Sequence, residues 1–160
     1  MISFNRLEEH PETRIAGLSM EMSFVQNKTT QLWQSFGPLI KEISGRIDQN
    51  LYSIEVYPKG FFDEFSPSKT FKKWAGVPIS SDVQVPEPLN ILILTKGNYA
   101  VFSYQGTPQD AAPAYRWIFS EWIPQSEWSL DDRPHLAIMG KDYRQNDSSS
   151  QEEIWIPVTQ

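Results

Sequence analysis

Cysteine is absent from the 160 residues. That excludes a disulfide framework, thiolate metal ligation and a cysteine nucleophile. Positive charge is scarce: 14 Lys and Arg against 20 Asp and Glu leave a net charge of −6. An acidic chain repels a phosphate backbone, so direct nucleic-acid binding is disfavoured. No apolar run approaches the roughly 18 residues needed to cross a bilayer. Residues 1–13 lack the basic stretch and apolar run of a signal peptide, and we expect a cytoplasmic protein of a prokaryote-like cell. The two histidines, His10 and His135, are isolated, and no carboxylates pair at ligand spacing. Neither a metal site nor a cofactor is expected. G-x-S-x-G, G-x-G-x-x-G and the Walker A sequence are also missing, so acyl-transfer and nucleotide chemistry have no motif behind them.

Aromatics are abundant, with six Trp, six Tyr and nine Phe making 13% of the chain. Such an excess either fills a core or lines a pocket. A second feature organises the chain. Slid on itself by about 83 positions, Ile15–Ser23 falls on Asn98–Gly106, and Leu51–Val56 falls on Pro134–Met139. Leu32, Phe36, Leu39 and Ile40 likewise fall on Tyr115, Phe119, Trp122 and Ile123. After one length change, Val77-Pro78-Ile79 meets Ile156-Pro157-Val158. The repeated unit reads strand, helix, strand, strand. We therefore expect one α+β domain over residues 1–160, with half-repeats of about 1–82 and 89–160. Two copies of a β-α-β-β unit should give a pseudo-twofold axis and a curved antiparallel sheet flanked by two main helices.

Local signals fill in this outline. Residues 1–13 read as polar, with His10 solvated. Residues 14–25 alternate as a strand. Asn27–Thr30 offer cap oxygens to a helix carrying Leu32, Phe36, Leu39, Ile40, Ile43 and Ile47, interrupted at Pro38 and ended by Gly45 and Asn50. Residues 61–73 form an excursion before a strand over Phe71–Ile79. Lys96-Gly97-Asn98 between two apolar runs predicts a hairpin over Asn90–Tyr104. Gly106-Thr107-Pro108 predicts the second helix start and Pro124 its stop. Residues 141–151, polar and serine-rich, read as a loop.

Candidate site residues follow from side-chain alternation. On the last strand Ile154, Ile156 and Val158 share one face, while Glu153, Trp155 and Pro157 share the other. A carboxylate two residues from a tryptophan can hold a cation or act as an acid/base; equally, the face can be solvated. Trp117 stands off its helix stripe, as does Trp33. Trp74 aligns by repeat with Glu153. Tyr57 and Glu55 add polar tips nearby, and His135 shares its strand face with Ala137 and Met139. Each alone reads as core or surface; together they describe an aromatic groove along the pseudo-twofold axis.

The landmarks Asn98–Phe102, Gln105-Gly106, Trp122–Ser126, Asp132–Pro134, Glu153–Val158 and Lys72–Val77, in this order and spacing, resemble the GyrI-like small-molecule-binding family. That family includes effector-binding domains of AraC-type and MerR-type regulators and stand-alone gyrase-inhibitory proteins. The resemblance implies a ligand groove between the halves, with stacked aromatics and an acidic residue for cationic ligands. Ligand-binding residues would be Trp33, Tyr57, Trp74, Trp117, His135, Ala137, Glu153 and Trp155. Many members carry a Glu where Pro134-His135-Leu136-Ala137 places Ala137, whose repeat partner is then Ile54. Glu153 would have to compensate, or the ligand would be neutral. Three readings follow. The first is a module sensing or sequestering a hydrophobic small molecule, with transcription regulation as the context. The second is a hydrolase of strained electrophilic molecules, with Glu153 as general base and Tyr57 or Trp155 orienting substrate. The third is an acidic protein-interaction module of the gyrase-inhibitor kind. No DNA-binding module is visible, so a transcription-factor role would need a partner protein.

Overall fold

The computed structural model describes residues 1–64, 66–107, 111–140 and 149–160. Its strands are β1 Ile2–His10, β2 Thr13–Met22, β3 Leu51–Val56, β4 Phe71–Ile79, β5 Asn90–Leu94, β6 Gly97–Gln105, β7 Ser129–Leu130, β8 His135–Met139 and β9 Gln151–Thr159. Helix α1 spans Thr29–Phe36 and runs into a 3₁₀ turn, Gly37–Glu42. In the second half α2, Ala112–Trp117, passes through a π-turn, Ile118–Trp122, into α3, Ile123–Gln125. The main sheet is antiparallel in the order β1-β6-β9-β8-β3-β4-β2-β5, with β7 paired to β9. The two halves meet where β3 pairs β8, and the duplicated β-α-β-β unit is present as expected.

The repeat differs from the sequence alignment by one residue. Strands β2 and β3 begin at Thr13 and Leu51, and their counterparts β6 and β8 begin at Gly97 and His135, a shift of 84 in both cases. One residue matters because side chains alternate across a strand, and a slip by one exchanges the faces. At a shift of 84, Ala137 corresponds to Ser53, which pairs with it. Ile54, the partner expected from sequence, points to the opposite face. The same shift superimposes Trp33 on Trp117.

Strand pairing departs from the predicted hairpin. β5 and β6 are consecutive but unpaired: β5 pairs β2, and β6 pairs β1. Each edge strand thus crosses to the other half. The N-terminal segment, expected to be polar and solvated, is the edge strand β1. Its last residue, His10, is buried.

The helices cover one face of the sheet, here the outer face. α1 packs on Ala16, Phe71, Ala75 and Val77, and the second helical segment packs on Ala100, Phe102, Ile154 and Ile156. Among the described residues no helix covers the inner face, yet Ile15, Tyr52, Ile54, Trp74, Tyr99, Leu136 and Trp155 are buried there. Curvature accounts for this. Nε2 of His10, on an edge strand, lies 3.1 Å from the hydroxyl of Tyr52 on central β3. Close packing of the curled sheet requires small residues: a Cβ at Gly17 would lie 2.1 Å from the carbonyl oxygen of Ala75.

The helices are shorter than their apolar stripes predict. α1 stops before Gly37-Pro38, and Ile47 is exposed, because Pro38 lacks the amide that would continue the ladder. Asn27 Oδ1 accepts a hydrogen bond from the Thr29 amide at 2.9 Å, but the N-cap position is Lys28 and no side chain caps the helix. α2 begins at Ala112 rather than at Thr107; residues 108–110, including Pro108, lie outside the described residues. Pro124 does not stop the helix. It enters the first turn of α3, where a missing amide is harmless. The loop predicted at 141–151 lies largely outside the described residues.

Candidate functional site

The curled sheet sorts the predicted site residues onto two faces. Trp74, Glu153 and Trp155 are on the inner face. Trp74 and Trp155 are buried in a core shared with Tyr99 and His10. The ring of Trp155 is edge-on to His10 at 5.3 Å and to Tyr99 at 5.7 Å. Glu153 is held at the rim of this core. It accepts hydrogen bonds from Arg6 at 3.0 Å and from the Trp155 indole at 3.1 Å. The Arg6 guanidinium is raised further by Glu153 and Glu8, and it lies 5.5 Å from the Trp155 ring. A carboxylate held in an ion pair and accepting a hydrogen bond from the indole is unlike a free general base.

The outer face brings together a different set. His135 and Ala137 on β8 lie on this face, opposite the core residues Leu136 and Ile138. Glu55 pairs with His135 on one side and Lys73 on the other, so the three side chains share a rung across the junction of the halves. Tyr57 meets His135 edge-on at 4.9 Å, and Phe62 stacks on it at 6.0 Å and 29°. Phe119 of the π-turn reaches Phe62 at 5.8 Å and His135 at 5.9 Å. Phe61 joins Tyr57 at 4.7 Å. Rings from the excursion after β3 and from the opposite half therefore close over the pseudo-twofold axis. Trp33 packs edge-on against Phe36 in the α1 core, and Trp117 packs against Phe102 in the other core. Neither joins the cluster around His135.

Ionisation on this face is strongly perturbed. Glu152 lies on β9 on the outer face, opposite Tyr104. Burial pushes its carboxyl up to about 7, against the pull of Lys73. Burial lowers His135 to about 3, so the imidazole is neutral. The phenols of Tyr57 and Tyr115 are raised by burial and then by the negative charge of Glu55; Tyr115 is also raised by Glu152. Removal from water disfavours the charged forms of Glu152, His135, Tyr57 and Tyr115 alike. The face offers a carboxyl poised near neutrality, a second carboxylate, two phenols and stackable rings. Such a site can hold an apolar molecule that brings its own positive charge.

Sequence reasoning placed Glu55 beside Tyr57 and missed Glu152. Period-two alternation alone puts Glu152 on the face opposite Glu153, so the signal was present in the same strand. Among the described residues no cluster of three metal-ligating side chains occurs, and no helix is long and apolar enough to cross a membrane.

Residues 5–159 match the family profile described as the GyrI-like small molecule binding domain. The chain is 26% identical over 157 residues to the transcriptional regulator BrlR of Pseudomonas aeruginosa, covering 96% of this chain and 54% of that protein. It thus spans about half the length of that relative. Among solved structures it is similar to the EcmrR C-terminal domain, with a TM-score of 0.71, 14% identity and coverage of 100% of this chain and 98% of that one. It is also similar to SAV2435 bound to tetraphenylphosphonium, with a TM-score of 0.68, 17% identity and coverage of 96% and 93%. At these identities the likeness to the two structures is one of fold.

Proposed function

The chain belongs to the GyrI-like small-molecule-binding family, and from that premise we propose that it captures a hydrophobic organic cation on the outer face, between the two helical segments. The observation that carries this reading is Glu152, a carboxyl on the outer face held near a pKa of 7 by burial and close enough to Tyr115 to raise its phenol. A cation entering the site supplies the charge that burial removed, so binding drives Glu152 to ionise and releases a proton. Glu55 extends the negative potential along the rung. Phe62, at 36% exposure, occupies the stacking position on His135 that a ligand ring would take. Glu152 and Glu55 thereby stand in for the acidic residue absent at Ala137. Ligand occupancy would be read by a partner protein or would serve sequestration.

Tetraphenylphosphonium is a suitable probe. Its affinity should tighten as pH rises to about 7 and level off above, by up to about tenfold per pH unit. Glu152→Gln should weaken binding and flatten the pH profile. A pH-independent affinity that Glu152→Gln leaves unchanged refutes the reading. A hydrolase reading is favoured by the same group: a carboxyl titrating near neutrality suits a general base, which moves that role from Glu153 to Glu152.

A further inference from the structure

We propose that the second half carries a separate site for an organic cation, in the cleft between β1 and the π-turn. The cleft has a volume of about 470 Å³ and is lined by Phe4, Trp117, Glu121, Trp122, Gln125 and Ser126. It shares no residue with the outer-face cluster around His135. The volume suits a drug-sized ligand.

The walls are aromatic and well braced. Phe4 and Trp122 stack at 4.8 Å and 25°. Phe4, Trp122 and Trp117 each meet Phe102 edge-on, at 5.7, 5.1 and 6.0 Å. Phe102 is fully buried and forms a rigid floor. Phe4 is 39% exposed, Trp117 and Trp122 are partly exposed, and the Glu121 carboxylate is exposed beside them. Indole faces with an adjoining carboxylate attract a cation through the ring quadrupole and through charge. Gln125 adds an amide at the rim.

Two backbone irregularities, one on each wall, build this cleft. On β1 the register shifts between Phe4 and Arg6, with Phe4 paired to Phe102 and Arg6 to Val101. The bulge holds Phe4 on the outer face while turning Arg6 inward to Glu153; an unbroken strand would leave both on one face. On the facing wall, residues five apart in an α-helix are about 140° apart around the axis. The π-turn, in which the Ile123 amide bonds the Ile118 carbonyl, is wider and brings residues five apart toward one side. Trp117 and Trp122 are such a pair.

The duplicated fold does not require any of this. At the shift of 84, Trp117 corresponds to Trp33, but Trp122 corresponds to Pro38 and Phe4 to Pro88. The first half has a 3₁₀ turn in place of the π-turn, and β5 begins only at Asn90. An aromatic-carboxylate cleft present in one half of a duplicated fold, and built by two departures from regular geometry, is a feature beyond folding.

The test uses protein labelled with 5-fluorotryptophan, whose six indoles are resolved by fluorine NMR and assigned through Trp→Phe variants. N-methylacridinium is titrated against its neutral parent, acridine. We expect saturable shifts of the Trp117 and Trp122 resonances with the cation and weaker ones with acridine. Glu121→Gln, at an exposed position, should weaken cation binding about tenfold, and Trp122→Leu by at least as much. The proposal is overturned if no resonance responds, if shifts are confined to the other four indoles, or if Glu121→Gln binds as wild type does.

Discussion

Replacing Glu152 by Gln should make the protein more stable in mild alkali and leave it unchanged in mild acid. In the folded state the carboxyl is raised from 4.5 to about 7 by burial, so the native state holds its proton more tightly than the unfolded chain. The favourable contribution is fully present below pH 4.5 and is lost as pH rises through 7. Holding a proton one pH unit more tightly is worth about 1.4 kcal/mol, so the whole change is about 3 kcal/mol. His135, lowered to about 3, works in the opposite sense. Its contribution is present above 6.5 and is lost as pH falls. It titrates in both proteins and cancels in their difference. Urea unfolding of wild type and Glu152→Gln at several pH values between 5 and 8.5 therefore isolates Glu152. The variant should gain on wild type with rising pH and be ahead by up to about 3 kcal/mol at the top of the range. A difference constant with pH, or a wild-type advantage at pH 8.5, refutes the claim that this carboxyl is buried and unneutralised.

Three further outcomes separate the faces of the sheet and the roles of glycines. Trp155→Phe should lower stability by about 1–2 kcal/mol through loss of the indole bond to Glu153, seen in urea unfolding, while tetraphenylphosphonium binding in the folded protein is unchanged. Gly17→Ala should cost about 2 kcal/mol or more, because the new methyl would press on the Ala75 carbonyl. Gly37→Ala, in αR geometry with no heavy atom near its Cβ position, should instead be neutral or stabilising by up to about 1 kcal/mol in thermal melts.

Much of the candidate site was legible and part of it was not. Alternation along β8 and the turn after β3 suffice to put Tyr57, His135 and Ala137 on one face, the outer one. Alternation also gives Trp155 and Glu153 a common face, but that face is a core closed by sheet curvature. Which side of a sheet faces a helix and which closes on itself depends on packing that alternation does not encode. Alternation also puts Glu152 on the face opposite Glu153, but it does not say that this is the face the helices cover.

The sequence by itself determined the duplicated strand-helix-strand-strand unit, the extent of β4 and the break at Pro38. These are local properties, written in periods of two and 3.6 residues and in the missing amide of proline. The tertiary structure alone decided that β1 and β5 exchange halves, because strand pairing depends on distant partners competing for the same edges. It decided the repeat shift of 84 rather than 83, since the difference shows only in which side chains share a face. It also raised the pKa of Glu152 and lowered that of His135, because desolvation exists only once the surrounding chain has excluded water.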